Sequence, residues 1–186
     1  MAGHLGDDAG ARKGVSDVAP AVRVTAFGAL DRIGTLTDDD RRAAIADPDP
    51  RVRRRGFELA ARSSGVDISS GLADGDPGVV EMAAWSMGER GDSSSVAALS
   101  ALASAGSGHP DPLCREAAVA ALGAIGDPAG LPAVLGALED KPAIRRRAAV
   151  ALAAFEGETV LSALRRCLDD RDWQVRQVAE DLLAEG

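Results

Sequence analysis

The chain has 186 residues, 46% hydrophobic and 27% charged, which is the balance of a folded soluble protein. Its formal net charge of −8 opposes general attraction to nucleic-acid phosphates. Aromatic residues make up only 3%, with no Tyr, so a β-sandwich is disfavoured and closely packed helices are expected. No run of about 18 apolar residues predicts a membrane-spanning helix.

Residues 1–17, which include Gly10, Gly14 and Asp17, show no period and no apolar core of a secretion signal. They are expected to form a flexible N-terminal tail ahead of a repeat domain over residues 18–186. From Pro20 onward one phrase recurs, starting at Pro20, Pro50, Pro77, Pro112, Pro142 and Trp173. The spacings are 30, 27, 35, 30 and 31 residues, and a period of that size marks a helical-repeat array. The clearest copies are adjacent, at Pro112 and Pro142.

Each phrase predicts one helix of three to four turns. Asp49, Asp76, Asp111 and Asp172 stand where an N-cap acceptor belongs, three of them before a proline at the first helical position. Ala19 and Lys141 depart from this rule. Two residues after each start comes Val22, Val52, Val79, Cys114, Ile144 or Val175. With the +6, +9, +10 and +13 positions these form one apolar stripe. At +6 stand Ala26, Gly56, Ala83, Ala118, Ala148 and Ala179, small residues suited to close approach of another helix backbone. Gly34, Gly65, Gly91, Gly126 and Gly157 are the expected left-handed stops.

Shorter amphipathic segments lie between the phrases, near residues 38–46, 67–73, 96–102, 131–138 and 160–168. One helix followed by about five helix pairs results, and each pair must stack on its neighbours to cover its stripe. Residues 105–108 are an insertion that lengthens one period and makes a polar loop before His109. Cys114 and Cys167 occupy apolar helical positions and are expected as buried free thiols, which favours a cytoplasmic protein.

The phrase Asp-Pro-x-Val-Arg, followed by small residues and Ala-Leu-Gly, closely resembles the HEAT repeat, and especially its bacterial PBS-lyase-like subtype. A composition rich in Ala, Arg, Gly and Asp also resembles that of high-GC bacteria. The resemblance covers about residues 18–184. It implies an all-α, right-handed α-solenoid whose phrase helices line the concave side. It further implies a structural ladder in which Arg23, Arg53, Arg115, Arg145 and Arg176 bond to the capping Asp residues, interrupted at Val80.

On this orientation the +1, +4, +5 and +8 positions face a partner. They include Arg51, Arg54, Arg55, Glu58, Glu81, Met82, Trp85, Glu116, Arg146 and Arg147. A patterned, mixed surface of this kind suits a protein or peptide partner better than a polyanion. Trp85, with Met82 one turn earlier, reads either as an anchor for an apolar side chain or as a residue packed against a neighbouring helix. The arginine clusters read either as phosphate or carboxylate binders or as solvated faces paired with local acids. Trp173 is expected to cover the last repeat.

Enzyme chemistry finds little support. His4 and His109 are the sole histidines and neither precedes a Glu, whereas HEAT-like deoxyhypusine hydroxylase uses repeated His-Glu pairs. There is no Cys/His metal spacing, no phosphate loop and no nucleophile–base set, so no cofactor or metal is expected. HEAT-like DNA glycosylases and phycobilin lyases are remoter alternatives, and the acidic balance opposes the first. A non-catalytic interaction scaffold is the reading that remains.

Overall fold

The computed structural model of the protein describes residues 7–185, so His4 lies outside the described residues. It divides into two compact units, with the boundary at Ser86–Met87. The first unit contains α1 (Asp8–Gly14), α2 (Pro20–Ile33), α3 (Asp38–Ile45), α4 (Pro50–Ala60) and a 3-10 turn over Ser69–Ala73. It also contains the larger part of α5 (Pro77–Arg90), which crosses the boundary. The second contains α6 (Val96–Ala103), α7 (Pro112–Ile125), α8 (Leu131–Ala137), α9 (Pro142–Ala151), α10 (Glu158–Cys167) and α11 (Trp173–Glu185). Among the described residues all regular structure is helical.

All six phrase helices begin at the expected residue. The carboxylates of Asp49, Asp76, Asp111 and Asp172 each accept a backbone N–H from the first turn, at 2.9 to 3.0 Å. The stripe is buried as expected at Val52, Val79, Cys114, Ile144 and Val175, whereas Val22 is exposed on the first phrase helix. Every +6 residue is buried as well. Their smallness has a visible cause. A Cβ added to Gly56 would sit 2.6 Å from the backbone nitrogen of Ile45 and 2.7 Å from the carbonyl carbon of Ala44. At Gly14 a Cβ would meet Ala26, and at Gly71 it would meet Ala83 and Phe57. At Gly56 the crossing is therefore backbone against backbone, and at Gly14 and Gly71 the close neighbours are side chains.

The structure departs from expectation in several places. Residues 8–14 form α1, capped by Asp7 and packed on α2, within a segment that carries no period. Seven residues are too few to display one, and tertiary contacts hold the helix instead. Arg12 of α1 pairs with Asp40 of α3 at 2.5 Å and also meets the carbonyl of Thr35. With α1 in place, α2 has a partner of its own, so the helix expected to stand alone is half of a pair.

Two of the five glycine stops act otherwise. Gly34, Gly91 and Gly126 hold φ between 63° and 82° and follow their helices directly. By contrast α4 ends at Ala60, five residues before Gly65, which is not left-handed. The helix α9 passes into a 3-10 turn at Leu152–Ala154, and Gly157 (φ 108°) precedes α10 instead. Trp173 is 63% exposed and covers little, contrary to expectation. It occupies the first turn of α11, outside the stripe that Val175 and Ala179 bury.

Candidate partner-binding face

The arginine ladder fixes how each phrase helix is held. Nε and Nη2 of Arg23 donate to both carboxylate oxygens of Asp47, at 2.7 and 2.6 Å. Arg53 grips Asp74 at 2.7 and 2.8 Å, Arg115 grips Asp140 at 2.8 and 2.9 Å, and Arg145 grips Asp170 at 2.9 and 3.0 Å. Nη1 of each arginine also donates to a backbone carbonyl just before its own helix, such as Asp47 O for Arg53 and His109 O for Arg115. Each guanidinium thus ties one repeat to the next. Two parallel charge-assisted bonds give this tie both strength and direction.

The acidic partners differ from the ones the resemblance implies. The capping Asp49, Asp76, Asp111 and Asp172 serve their own helices, and the ladder uses Asp47, Asp74, Asp140 and Asp170 of the next phrase. Asp47, Asp74 and Asp170 also accept the backbone N–H two residues on, at 2.7 to 2.9 Å, and Asp140 that of Lys141. The hydrogen bonds from Arg53, Arg115 and Arg145 hold the carboxyls of Asp74, Asp140 and Asp170 below their ordinary range. Burial raises the Asp47 carboxyl, yet Arg23 and the Asp49 N–H outweigh it. Arg176, last in the series, donates to the carbonyl of Asp170 at 2.7 Å and meets no carboxylate among the described residues. Val80, where the arginine is missing, is fully buried. His109 stands two residues before the cap Asp111, the register of a ladder Asp, and its Nδ1 accepts the Asp111 N–H at 3.1 Å. Both halves of that rung are replaced in the sequence.

On α2, α4, α7 and α9 the arginine side is committed to the ladder, and the +1, +4, +5 and +8 positions lie away from it. In the first unit they line a groove of about 690 Å³ between α2 and α4. Gly28 leaves its floor open, and Arg32, Arg51, Arg54 and Arg55 surround it with Glu58. Arg51 closes on Asp49 at 2.8 Å but stays 68% exposed, and Arg55 pairs with Glu58 at 2.8 Å. Asp49 is drawn down to about 2, first by its hydrogen bond from Arg51. Arg54 is exposed and has no carboxylate partner among the described residues. On α5, Trp85 is 43% exposed while Ala83, Ala84 and Met87 around it are buried. Glu81 and Met82 are half-buried beside it.

In the second unit the same phases form a smaller groove of about 360 Å³ between α7 and α9, lined by Ala120, Gly123, Arg147 and the exposed Val150. The basic patch expected here is neutralised. Arg147 reaches Glu116 of the preceding phrase helix at 3.5 Å. Arg146 bonds to Gln174 and lies 3.7 Å from Asp172. Both arginines of α9 thus have acidic neighbours at the adjacent phrase helices.

Sequence reasoning missed the ladder acids, although a signal existed: Asp47-Pro-Asp49, Asp74-Gly-Asp76 and Asp170-Arg-Asp172 repeat an Asp-x-Asp pattern. It also missed Arg32 and Gly28, because α2 contributes to the groove beyond its first turns. The inserted loop is tightly tied, with Gly108 N–H on the carbonyl of Ser104 at 2.8 Å and His109 N–H on that of Leu102 at 3.1 Å. Both cysteines are buried thiols outside any disulfide, and burial pushes the Cys167 thiol up. Among the described residues no group of three or more His, Cys, Asp or Glu side chains is placed to hold a metal ion. No helix among them is long and apolar enough to cross a membrane.

Helix pairs repeated about every thirty residues, joined by a two-point Arg–Asp tie, define an all-α repeat protein. Residues 101–184 match the family described as HEAT repeats. No curated protein matches it significantly. Among solved structures it is similar to the complex of CpcE and CpcF of phycocyanin lyase from Nostoc, with 22% identity and a TM-score of 0.66 over 98% of this chain and 78% of that one. An engineered protein shares 16% identity with a TM-score of 0.69, over 97% of this chain and 96% of that one. Human deoxyhypusine hydroxylase shares 20% identity with a TM-score of 0.53, over 95% of this chain and 72% of that one. Likeness at these identities extends to the fold alone.

Proposed function

We propose that the protein is a non-catalytic, cytoplasmic scaffold that holds a protein or peptide partner on the groove side of its phrase helices. The observation that carries this reading is Trp85. It is 43% exposed on a helix whose adjacent Ala83, Ala84 and Met87 are buried. A large ring held at the surface by a rigid helix binds with little loss of side-chain freedom, which is why Trp dominates binding hot spots. Met82, one turn earlier, supplies an adaptable neighbour. The resemblance of the repeats to modules that assemble with partners supports the same reading, as does the lack of any nucleophile–base spacing in the sequence.

Peptides selected from a random display library against the purified chain provide the test. Trp85→Ala is expected to weaken the tightest of them at least about tenfold, close to 1.4 kcal/mol. Affinities that stay within about threefold would remove Trp85 as the anchor and this reading with it.

A further inference from the structure

We propose that the groove between α2 and α4 binds a carboxylate-rich peptide segment, with Arg54 as its principal contact; this rests on the scaffold reading above and specifies the partner's chemistry. The groove is lined by four arginines and a single carboxylate, Glu58, on a chain whose net charge is −8. Many arginines elsewhere in the described structure are matched by acid, Arg23, Arg53, Arg115 and Arg145 in the ladder and Arg146 and Arg147 by Asp172 and Glu116, with Arg176 an exception that bonds to a backbone carbonyl. Arg54 has no such partner. Its planar fork is free to take a carboxylate in two-point fashion, as the ladder arginines take theirs.

The size of the groove and its borders set the class of occupant. About 690 Å³ holds a few side chains, and an extended peptide would place one every 3.3 Å or so along it. Glu58 pairs with Arg55 inside the groove and Asp49 pairs with Arg51 at its edge. These fixed negative charges interrupt the basic lining. A short run of Asp or Glu side chains can seat between them, whereas a continuous phosphate backbone would meet repulsion there and from the acidic protein as a whole. The neutralised arginines of α9 offer no comparable site.

Fluorescence anisotropy with a labelled hexaglutamate peptide at low ionic strength tests this. The intact chain is expected to bind it well above a hexalysine control. Arg54→Glu, at an exposed position without a partner, should weaken binding at least about tenfold, and Glu58→Gln, which removes the one carboxylate, should tighten it severalfold. Arg165→Glu, a charge reversal at an exposed site outside the groove, should change it by less than about twofold. Hexaglutamate binding no tighter than hexalysine, or equal losses from Arg54→Glu and Arg165→Glu, would overturn the proposal. A single-stranded oligonucleotide that binds more tightly and is equally sensitive to Arg54→Glu would overturn it in favour of nucleic acid. Trp85→Ala should leave hexaglutamate binding within about twofold, so loss of the Trp85 anchor and loss of the acidic groove show in separate arms.

Discussion

Arg145 and Asp170, 25 residues apart, meet through two parallel hydrogen bonds of 2.9 and 3.0 Å. The arginine side chain is only 6% exposed and the aspartate 16%. Nη1 of the same arginine donates to the carbonyl of Asp140, so one side chain fixes both the entry to α9 and the turn before α11. Removing it leaves a largely buried carboxylate without its counter-ion. Arg145→Ala is expected to destabilise the fold by about 3 kcal/mol, whereas Arg146→Ala on the adjacent exposed face should cost less than about 0.5 kcal/mol. Urea denaturation of the two variants measures the difference, and equal midpoints would contradict the ladder's structural role.

The ladder also sets a response to acid. Asp74, Asp140 and Asp170 carry depressed carboxyls because of Arg53, Arg115 and Arg145, and Asp49 lies at about 2 because of Arg51. The unfolded chain, with Asp near its ordinary pKa of about 3.9, binds protons more readily than the folded one. The stabilisation is thus fully present above that range and is lost as pH falls through it towards the folded values. The urea midpoint should be nearly level from pH 7 to about pH 5 and drop steeply below about pH 4. A midpoint unchanged at pH 3 would contradict this.

Gly56 and Gly136 should respond in opposite senses to alanine. A Cβ at Gly56 would press on the backbone of Ala44 and Ile45 at 2.7 and 2.6 Å, atoms that cannot swing aside. Overpacking of this kind costs about 1–3 kcal/mol. A Cβ at Gly136 in α8 meets nothing within 4 Å. Gly136→Ala should stabilise by about 0.4–1 kcal/mol, through the reduced freedom of the unfolded chain. Thermal melts of the two variants should move in opposite directions.

Much of this architecture can be read from residues alone. Local chemistry writes the helix starts, because an Asp cap before Pro states its purpose within two residues, and Asp49 and Asp111 act as that pattern implies. The stripe and the +6 row are equally local, and Val52, Ile144, Ala118 and Ala148 are all fully buried. What escaped depends on partners distant in sequence. The helix α1 is held by Arg12 reaching 28 residues ahead to Asp40, and no window around residue 12 contains that information. The ends of α4 and α9 depend on where the next segment docks, so Gly65 and Gly157 mislead. Exposure at Trp173 is also a tertiary property. The chemistry of the face was half legible: residues at these phases of α2, α4, α7 and α9 line the two grooves, but sequence spacing does not distinguish Arg147, tied to Glu116, from Arg54.

Trp85 can be followed directly, because Trp173 is the only other indole in the chain. In a Trp173→Phe background, acrylamide quenching reports on Trp85 alone, with and without a saturating selected peptide. A groove-side binding face centred on Trp85 predicts ready quenching in the free protein and a quenching constant reduced at least about twofold in the complex. A constant that stays the same on saturation would place the partner elsewhere and contradict the account.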